Sequence, residues 1–165
     1  MGNHSISECI TEERMMNLIR DAQEKGKVTL GRILNKELFI YMLDLEIKRA
    51  RRYQNFLCLL DIELRKCNDD DDCDFTTLYQ AVGNLLTGET RESDILGSLA
   101  KNQLMILLPY ADLSAGDRVK SRLESIFKIY DFKSKGYDLM INQISFPTNG
   151  ADTIDLIRNA FGINP

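Results

Sequence analysis

The 165-residue chain has no tryptophan, one histidine, three prolines and no long hydrophobic run. Because no apolar stretch approaches the roughly 20 residues of a membrane span, we expect no membrane insertion. The first residues also lack an apolar signal core behind a basic start, so we expect a cytoplasmic, unexported protein. The one histidine, His4, lies near the terminus and is assigned no role. The four cysteines show no CxxC spacing, which is typical of reduced cytosolic thiols.

The chain also lacks an excess of positive charge. Its formal net charge is -4, which argues against a protein that neutralises a nucleic-acid backbone. An anionic ligand therefore needs a local concentration of basic side chains. With 44% hydrophobic residues, the chain is long enough to bury one core, and we expect one globular domain.

Apolar periodicity and turn residues predict five helices and four strands. The predicted helices cover residues 11–24, 35–52, 75–86, 112–130 and 152–160. The predicted strands cover residues 56–63, 95–99, 103–108 and 138–146. We expect Asn35 to cap the second helix and Gly88 to stop the third. The tight polar connection between the second and third strands is typical of a β-hairpin.

This order of elements predicts the fold class. A hairpin makes neighbouring strands antiparallel, so an all-parallel doubly wound sheet is excluded. We predict an α+β fold with a mainly antiparallel central sheet flanked by helices. The aspartate-rich segment 68–74 is predicted to be a loop, and it lacks the glycine and glutamate spacing of an EF-hand. The basic cluster at residues 48–52 is interpreted as a solvated helix end that favours the helix dipole.

Three segments keep a fixed order and spacing: LGRILNKELF at residues 30–39, LLDIE at 59–63, and RESDILGSLAKNQLMILLP at 91–109. They resemble the motifs LTGLPNRRxF, LLDID, and RxxD followed after five residues by GGDEF and a strand ending in LLP. These motifs belong to the GGDEF family of diguanylate cyclase domains. The resemblance implies a nucleotidyl cyclase-like fold with a five-stranded sheet. It divides the chain into an N-terminal helix and lead-in at 1–29 and a GGDEF-type domain at 30–165.

The family's signature is not kept in this chain. In active members the two glycines let the hairpin approach the triphosphate of GTP, and acidic residues hold metal ions. The corresponding residues here are Ala100, Lys101, Asn102, Gln103 and Leu104. Asp61 matches a metal-binding aspartate, but one carboxylate cannot hold two metals and is vestigial. The resemblance therefore implies a degenerate domain without cyclase activity, cofactor or metal.

The RxxD motif, in contrast, is kept as Arg91 and Asp94. In the family these residues form a product-binding inhibitory site, where the arginine grips phosphate and guanine and the carboxylate accepts from guanine nitrogens. Family members commonly add an arginine from a second helix. Arg118 and Arg122 lie four residues apart on one face of the helix predicted at 112–130. The resemblance implies that these four residues bind cyclic di-GMP and that the chain is a receptor or effector for it.

Two other functions are open at this point. One is a nucleotide-independent protein-interaction or dimerisation module that uses the degenerate hairpin or the first helix. That helix carries the apolar stripe Met15, Met16, Leu18 and Ile19, which would pack on its own domain or on a second copy. The other is an enzyme with altered GTP chemistry, which the loss of both signature acids disfavours.

Overall fold

Five strands and four helices make up the described part of the fold. The structure is a computed structural model that describes residues 32–67 and 75–161. The strands are β1 (Ile33–Leu34), β2 (Leu57–Lys66), β3 (Ile95–Ala100), β4 (Gln103–Pro109) and β5 (Tyr137–Phe146). The helices are α1 (Lys36–Tyr53), α2 (Phe75–Glu89), α3 (Leu113–Tyr130) and α4 (Thr153–Phe161), with a 3₁₀ turn at Phe132–Lys135.

The strands form one sheet in the order β1-β3-β4-β2-β5. β1 pairs with β3 in parallel, whereas the other neighbouring pairs are antiparallel. At one end of the sheet lie the starts of β2 and β3 and the end of β4. The tip of the β3–β4 hairpin lies at the opposite end. The predicted α+β class with a five-stranded, mainly antiparallel sheet flanked by helices is confirmed.

Two apolar layers cover the faces of this sheet. Successive residues of a strand point to opposite faces. Leu60 and Ile62 of β2 pack with residues of α2 and α3, whereas Leu57 and Leu59 pack with residues of α1 and α4. Because both of its faces are buried, β2 has a nearly continuous apolar sequence.

Side-chain caps begin three of the described helices, α1, α3 and α4. The backbone N–H of Leu38 donates to Oδ1 of Asn35 at 2.9 Å, as predicted, and that of Ala115 donates to Oδ1 of Asp112 at 2.8 Å. Each cap satisfies a donor that the first turn of a helix leaves without an intrahelical partner. These local contacts determine where the chain enters α1 and α3.

Some observed bounds differ from the predicted ones. α2 continues through Gly88 to Glu89, because the backbone of Gly88 does not take the left-handed angle of a glycine stop. β2 extends to Lys66, which pairs with Tyr137 at the start of β5. The leading helix 11–24, the loop 68–74 and the boundary at residue 30 lie outside the described residues. Within the described ranges, no helix is both long and apolar enough to cross a membrane.

Candidate functional site

The Arg91–Asp94 motif forms a closed turn between α2 and β3. The backbone N–H of Arg91 donates to Oδ2 of Asp94 at 2.8 Å, and the backbone N–H of Asp94 donates to the carbonyl of Arg91 at 3.1 Å. Asp94 therefore has a structural role in the turn through one carboxylate oxygen. The side chain of Arg91 is exposed to solvent. The fold holds the two motif residues at a fixed spacing and leaves Arg91 accessible.

A further arginine, Arg32, contacts the same turn and is absent from the predicted site. Its Nη2 donates to the backbone carbonyls of Arg91 at 2.5 Å and of Asp94 at 3.1 Å. Its Nη1 donates to the carbonyl of Thr87 at 3.3 Å, in the last turn of α2 where helix carbonyls lack intrahelical partners. No local pattern marks Arg32, because these contacts span up to 62 positions of sequence.

Of the two arginines predicted on α3, the structure brings Arg122 to the end of α2. Its Nη2 donates to the backbone carbonyl of Glu89 at 2.8 Å, and its Nε lies 3.8 Å from Oε2 of the same residue. Glu89 precedes Arg91 by two positions, so Arg122 lies beside the motif turn. Arg118 is exposed one helical turn nearer the start of α3.

Residues 100–104 form the tip of the β3–β4 hairpin, as predicted. Lys101 and Asn102 occupy the exposed two-residue turn, and Ala100 pairs with Gln103 across it. Leu104 points into the core and is buried. The tip therefore presents a lysine side chain where a glycine would leave bare backbone for the approach of a phosphate.

Gln103 and Asp61 form a buried pair on the face of the sheet that packs against α1. Nε2 of Gln103 donates to Oδ1 of Asp61 at 2.8 Å, and the two residues are 8% and 2% exposed. Burial raises the pKa of Asp61 to about 6, although the hydrogen bond from Gln103 acts to lower it. The two residues thus form an amide–carboxylate pair. The side-chain N–H of Gln103 points at the Asp61 oxygen that would otherwise be available to a cation.

These residues do not fit the metal ions that the family resemblance associates with catalysis. A divalent cation such as Mg²⁺ prefers several oxygen ligands, usually with more than one carboxylate or phosphate. Over residues 32–67 and 75–161, no group of three or more His, Cys, Asp or Glu side chains could hold a metal. Asp61 contributes one carboxylate, and that carboxylate already accepts from Gln103.

Replacing Asp61 by asparagine is expected to remove a pH dependence of stability. The pKa of this carboxyl is about 6 in the folded chain and 3.8 ordinarily. The folded state therefore keeps a proton that the unfolded state has lost, and the free energy of unfolding falls as the pH rises from about 4 to about 6. We expect this fall to be on the order of 1–3 kcal/mol larger in the wild-type chain than in Asp61→Asn. Urea unfolding at pH 4, 5, 6 and 7 measures it, and parallel profiles would contradict the assignment.

A groove of about 430 Å³ lies elsewhere, at the end of α3, and none of the predicted site residues lines it. Its lining includes Phe127, Lys128, Phe132 and Tyr137. The candidate site is instead a surface turn with basic side chains around it. Such a site suits an extended, charged ligand that stays partly in contact with water.

The fold is that of the GGDEF domains. A DGC protein from Thermotoga maritima matches with a TM-score of 0.69 and 14% identity, over 82% of this chain and 98% of that one. The active GGEEF domain of a diguanylate cyclase from Vibrio cholerae matches with a TM-score of 0.67 and 15% identity, over 78% and 86%. The GGDEF domain of DgcB from Caulobacter crescentus, solved in complex with cyclic di-GMP, matches with 0.61 and 12%, over 81% and 82%.

No protein-family model and no curated protein matches the chain. The structural similarity, at 12–15% identity, establishes the fold that the motif spacing implies. What the chain does with this fold depends on its own side chains.

Proposed function

We propose that this chain is a cytoplasmic, catalytically inactive GGDEF-type domain that binds cyclic di-GMP and acts as its receptor. The observation that carries the proposal is the closed Arg91–Asp94 turn with Arg122 beside it. A turn that is held by its own hydrogen bonds loses little conformational entropy when a ligand binds. The side chain of Arg91 projects from this rigid support.

The chemistry of cyclic di-GMP matches the groups at the turn. The ligand carries two phosphates and two guanines. The planar fork of Arg91 suits two parallel hydrogen bonds, either to phosphate oxygens or to O6 and N7 of guanine. Oδ2 of Asp94 accepts from the Arg91 backbone, and Oδ1 is left to accept from the N–H groups of guanine.

Several arginines are concentrated at this position, although the chain has an overall charge of -4 and Glu89, Glu92 and Asp94 lie in the same segment. Arg91, Arg118 and Arg122 are all exposed, so each can reach a phosphate without a desolvation penalty for burial. Arg122 already interacts with Glu89, but exposed ion pairs contribute only about 0–1 kcal/mol. Exchange of Glu89 for a phosphate group therefore costs little.

A structural relative supports a ligand of this class. The GGDEF domain of DgcB is solved in complex with cyclic di-GMP and shares the fold of this chain. The absence of catalysis is a separate part of the proposal. It is supported by the Gln103–Asp61 hydrogen bond and by the lysine at the hairpin tip, both at positions where the family signature requires acids or glycines.

Isothermal titration calorimetry of the chain with cyclic di-GMP tests the receptor function. We expect saturable binding in the micromolar range, driven by charge-assisted hydrogen bonds. Cyclic di-AMP is the control ligand, because it has the same phosphates but lacks the O6 and N2 groups of guanine. It should bind much more weakly.

Two outcomes of this titration would contradict the proposal. The first is the absence of heat when folded protein is titrated with cyclic di-GMP up to about 1 mM. Such a result would mean a Kd above about 1 mM, that is, a binding free energy weaker than about -4 kcal/mol. The second is equal affinity for cyclic di-AMP, which would show that the site reads phosphate alone.

A nucleotide-independent interaction module is the second candidate function. It is favoured by three exposed aromatic side chains, Tyr53, Phe56 and Tyr110, which are 61%, 52% and 65% exposed. Phe56 and Tyr110 line one shallow depression, and Arg52 lies over the ring of Tyr53 at 5.6 Å. Aromatic and arginine side chains are enriched at protein interfaces. A dimer seen by ultracentrifugation without nucleotide, and lost in Phe56→Ser/Tyr110→Ser, would support this function.

A further inference from the structure

We propose that Arg32 is a positioning residue that holds the Arg91–Asp94 turn in its ligand-binding geometry. The inference rests on the proposed function, because it names a residue through which the same site acts. Arg32 stands where the quoted family motif LTGLPNRRxF has its glycine, so the motif resemblance does not point to it. Its Nη1 and Nη2 donate to backbone carbonyls of the protein. Its role is therefore to hold the turn in place.

One nitrogen of Arg32 connects both ends of the motif. Nη2 lies 2.5 Å from the carbonyl oxygen of Arg91 and 3.1 Å from that of Asp94. Because both carbonyls point at the same donor, the distance between the first and last residues of the turn is set from outside the turn. The hydrogen bonds within the turn close it locally. Arg32 connects this closed turn by hydrogen bonds to the start of β1 and the end of α2.

The pairing of β1 with β3 places Arg32 at this point. The two strands run parallel, with Ile33 opposite Leu96, so the residue before β1 lies beside the start of β3. The motif turn ends at the same place. Nη1 of Arg32 also donates to the carbonyl of Thr87 in α2 at 3.3 Å. The guanidinium therefore joins β1, the motif turn and the end of α2.

Only a forked donor can make this set of contacts. A guanidinium presents five N–H groups in a fixed plane, whereas lysine presents a single nitrogen. Lysine at position 32 would keep the charge but could not contact α2 and the turn through separate nitrogens. Glutamine would keep one donor group and lose the charge. Glutamine leaves at least one carbonyl of the turn to water, and lysine leaves the Thr87 carbonyl of α2 without its donor. In both variants the turn is held less firmly, and the ligand must then order a looser turn.

The test compares the 165-residue chain with Arg32→Gln, Arg32→Lys and the matched control Arg65→Gln. Arg65 also makes a surface hydrogen bond, from Nη2 to Glu63 at 2.8 Å, but it lies in the part of β2 that pairs with the start of β5. This is the end of the sheet away from the motif turn. Affinity for cyclic di-GMP is measured by calorimetry. Hydrogen exchange of the Arg91 and Asp94 amides is measured by NMR without added nucleotide.

Arg32→Gln is expected to weaken cyclic di-GMP binding roughly tenfold and to accelerate exchange of the two turn amides by a similar factor. Arg32→Lys should stay clearly below the wild type in affinity, because the fork is lost while the charge is kept. Arg65→Gln should match the wild type in both measurements. Exchange at Leu60 in the centre of the sheet should not change in any variant, which separates a loosened turn from a destabilised fold.

Several outcomes would overturn the inference. Unchanged exchange at Arg91 and Asp94 in Arg32→Gln would show that Arg32 does not order the turn. Faster exchange with wild-type affinity would show that the order of the turn does not serve binding. Wild-type affinity in Arg32→Lys would show that the forked contact, with a second nitrogen on the Thr87 carbonyl, is not needed for binding. If the wild-type chain binds no cyclic di-GMP, the proposed function fails, and the exchange measurement then decides by itself whether Arg32 holds the turn.

Discussion

Replacing Arg91 by alanine is expected to weaken cyclic di-GMP binding by about 30-fold or more, which corresponds to about 2 kcal/mol. The guanidinium of Arg91 reaches into solvent from a fixed turn, and its loss leaves phosphate or guanine acceptors without their charged donor. Calorimetry with the variant and the wild-type chain measures the change.

The free energy of unfolding provides a control for the Arg91→Ala variant. The turn is closed by the backbone N–H and carbonyl of Arg91, and neither is removed by the substitution. The free energy of unfolding should therefore stay within about 0.5 kcal/mol of the wild type, as for most exposed positions. Arg91→Lys keeps the charge and should still bind weakly, because it lacks the fork. Wild-type affinity in Arg91→Ala would place the ligand elsewhere.

Incubation of the chain with GTP and Mg²⁺ or Mn²⁺ is expected to give no cyclic di-GMP above the background without protein. Loss of a single electrostatic group at an active site commonly costs roughly 10²–10³-fold in rate. In the motif resemblance, Asn102 and Gln103 stand at the positions of both signature acids, and Lys101 stands at the position of a glycine. Chromatography of the nucleotides after overnight incubation measures the product, and any product that scales with protein concentration would contradict the proposal.

The variant Gln103→Glu tests the proposed physical cause of the expected inactivity. It places a second carboxylate within hydrogen-bond distance of Asp61, and two adjacent carboxylates resist ionising together. We expect the variant to be less stable than the wild type near pH 8 and to regain stability with millimolar Mn²⁺, because a cation would bridge the two groups. The wild type should show no such stabilisation. Equal responses to Mn²⁺ would show that the Gln103 amide is not what excludes the metal.

Most of the secondary structure could be predicted because it depends on contacts that are close in sequence. The cap at Asn35 is a contact over three residues. The hairpin pairs Ala100 with Gln103 across a two-residue tip. The continuous apolar sequence of β2 already indicates a strand that is buried on both faces. Once the hairpin was predicted, an all-parallel sheet was excluded, and the mainly antiparallel order followed.

Other features depend on distant pairing and left no local signal. β1 has only two residues, too few for any periodicity, and it exists because Ile33 and Leu34 pair with Leu96 and Gly97 of β3. The stop expected at Gly88 was wrong because a glycine ends a helix only where the backbone takes a left-handed angle. The motif spacing indicated Arg91 and Asp94 but neither the turn between them nor the group that holds it.

The sequence by itself determined that the hairpin tip carries no signature acids or glycines and that an RxxD motif precedes it, because both are read directly from neighbouring residues. Only the tertiary structure decided what surrounds them. Arg32 reaches the motif across 59 and 62 positions, Gln103 reaches Asp61 across 42, and Arg122 reaches Glu89 across 33. Such contacts arise from the pairing of strands and the packing of helices on the sheet, which bring together residues that no local pattern relates.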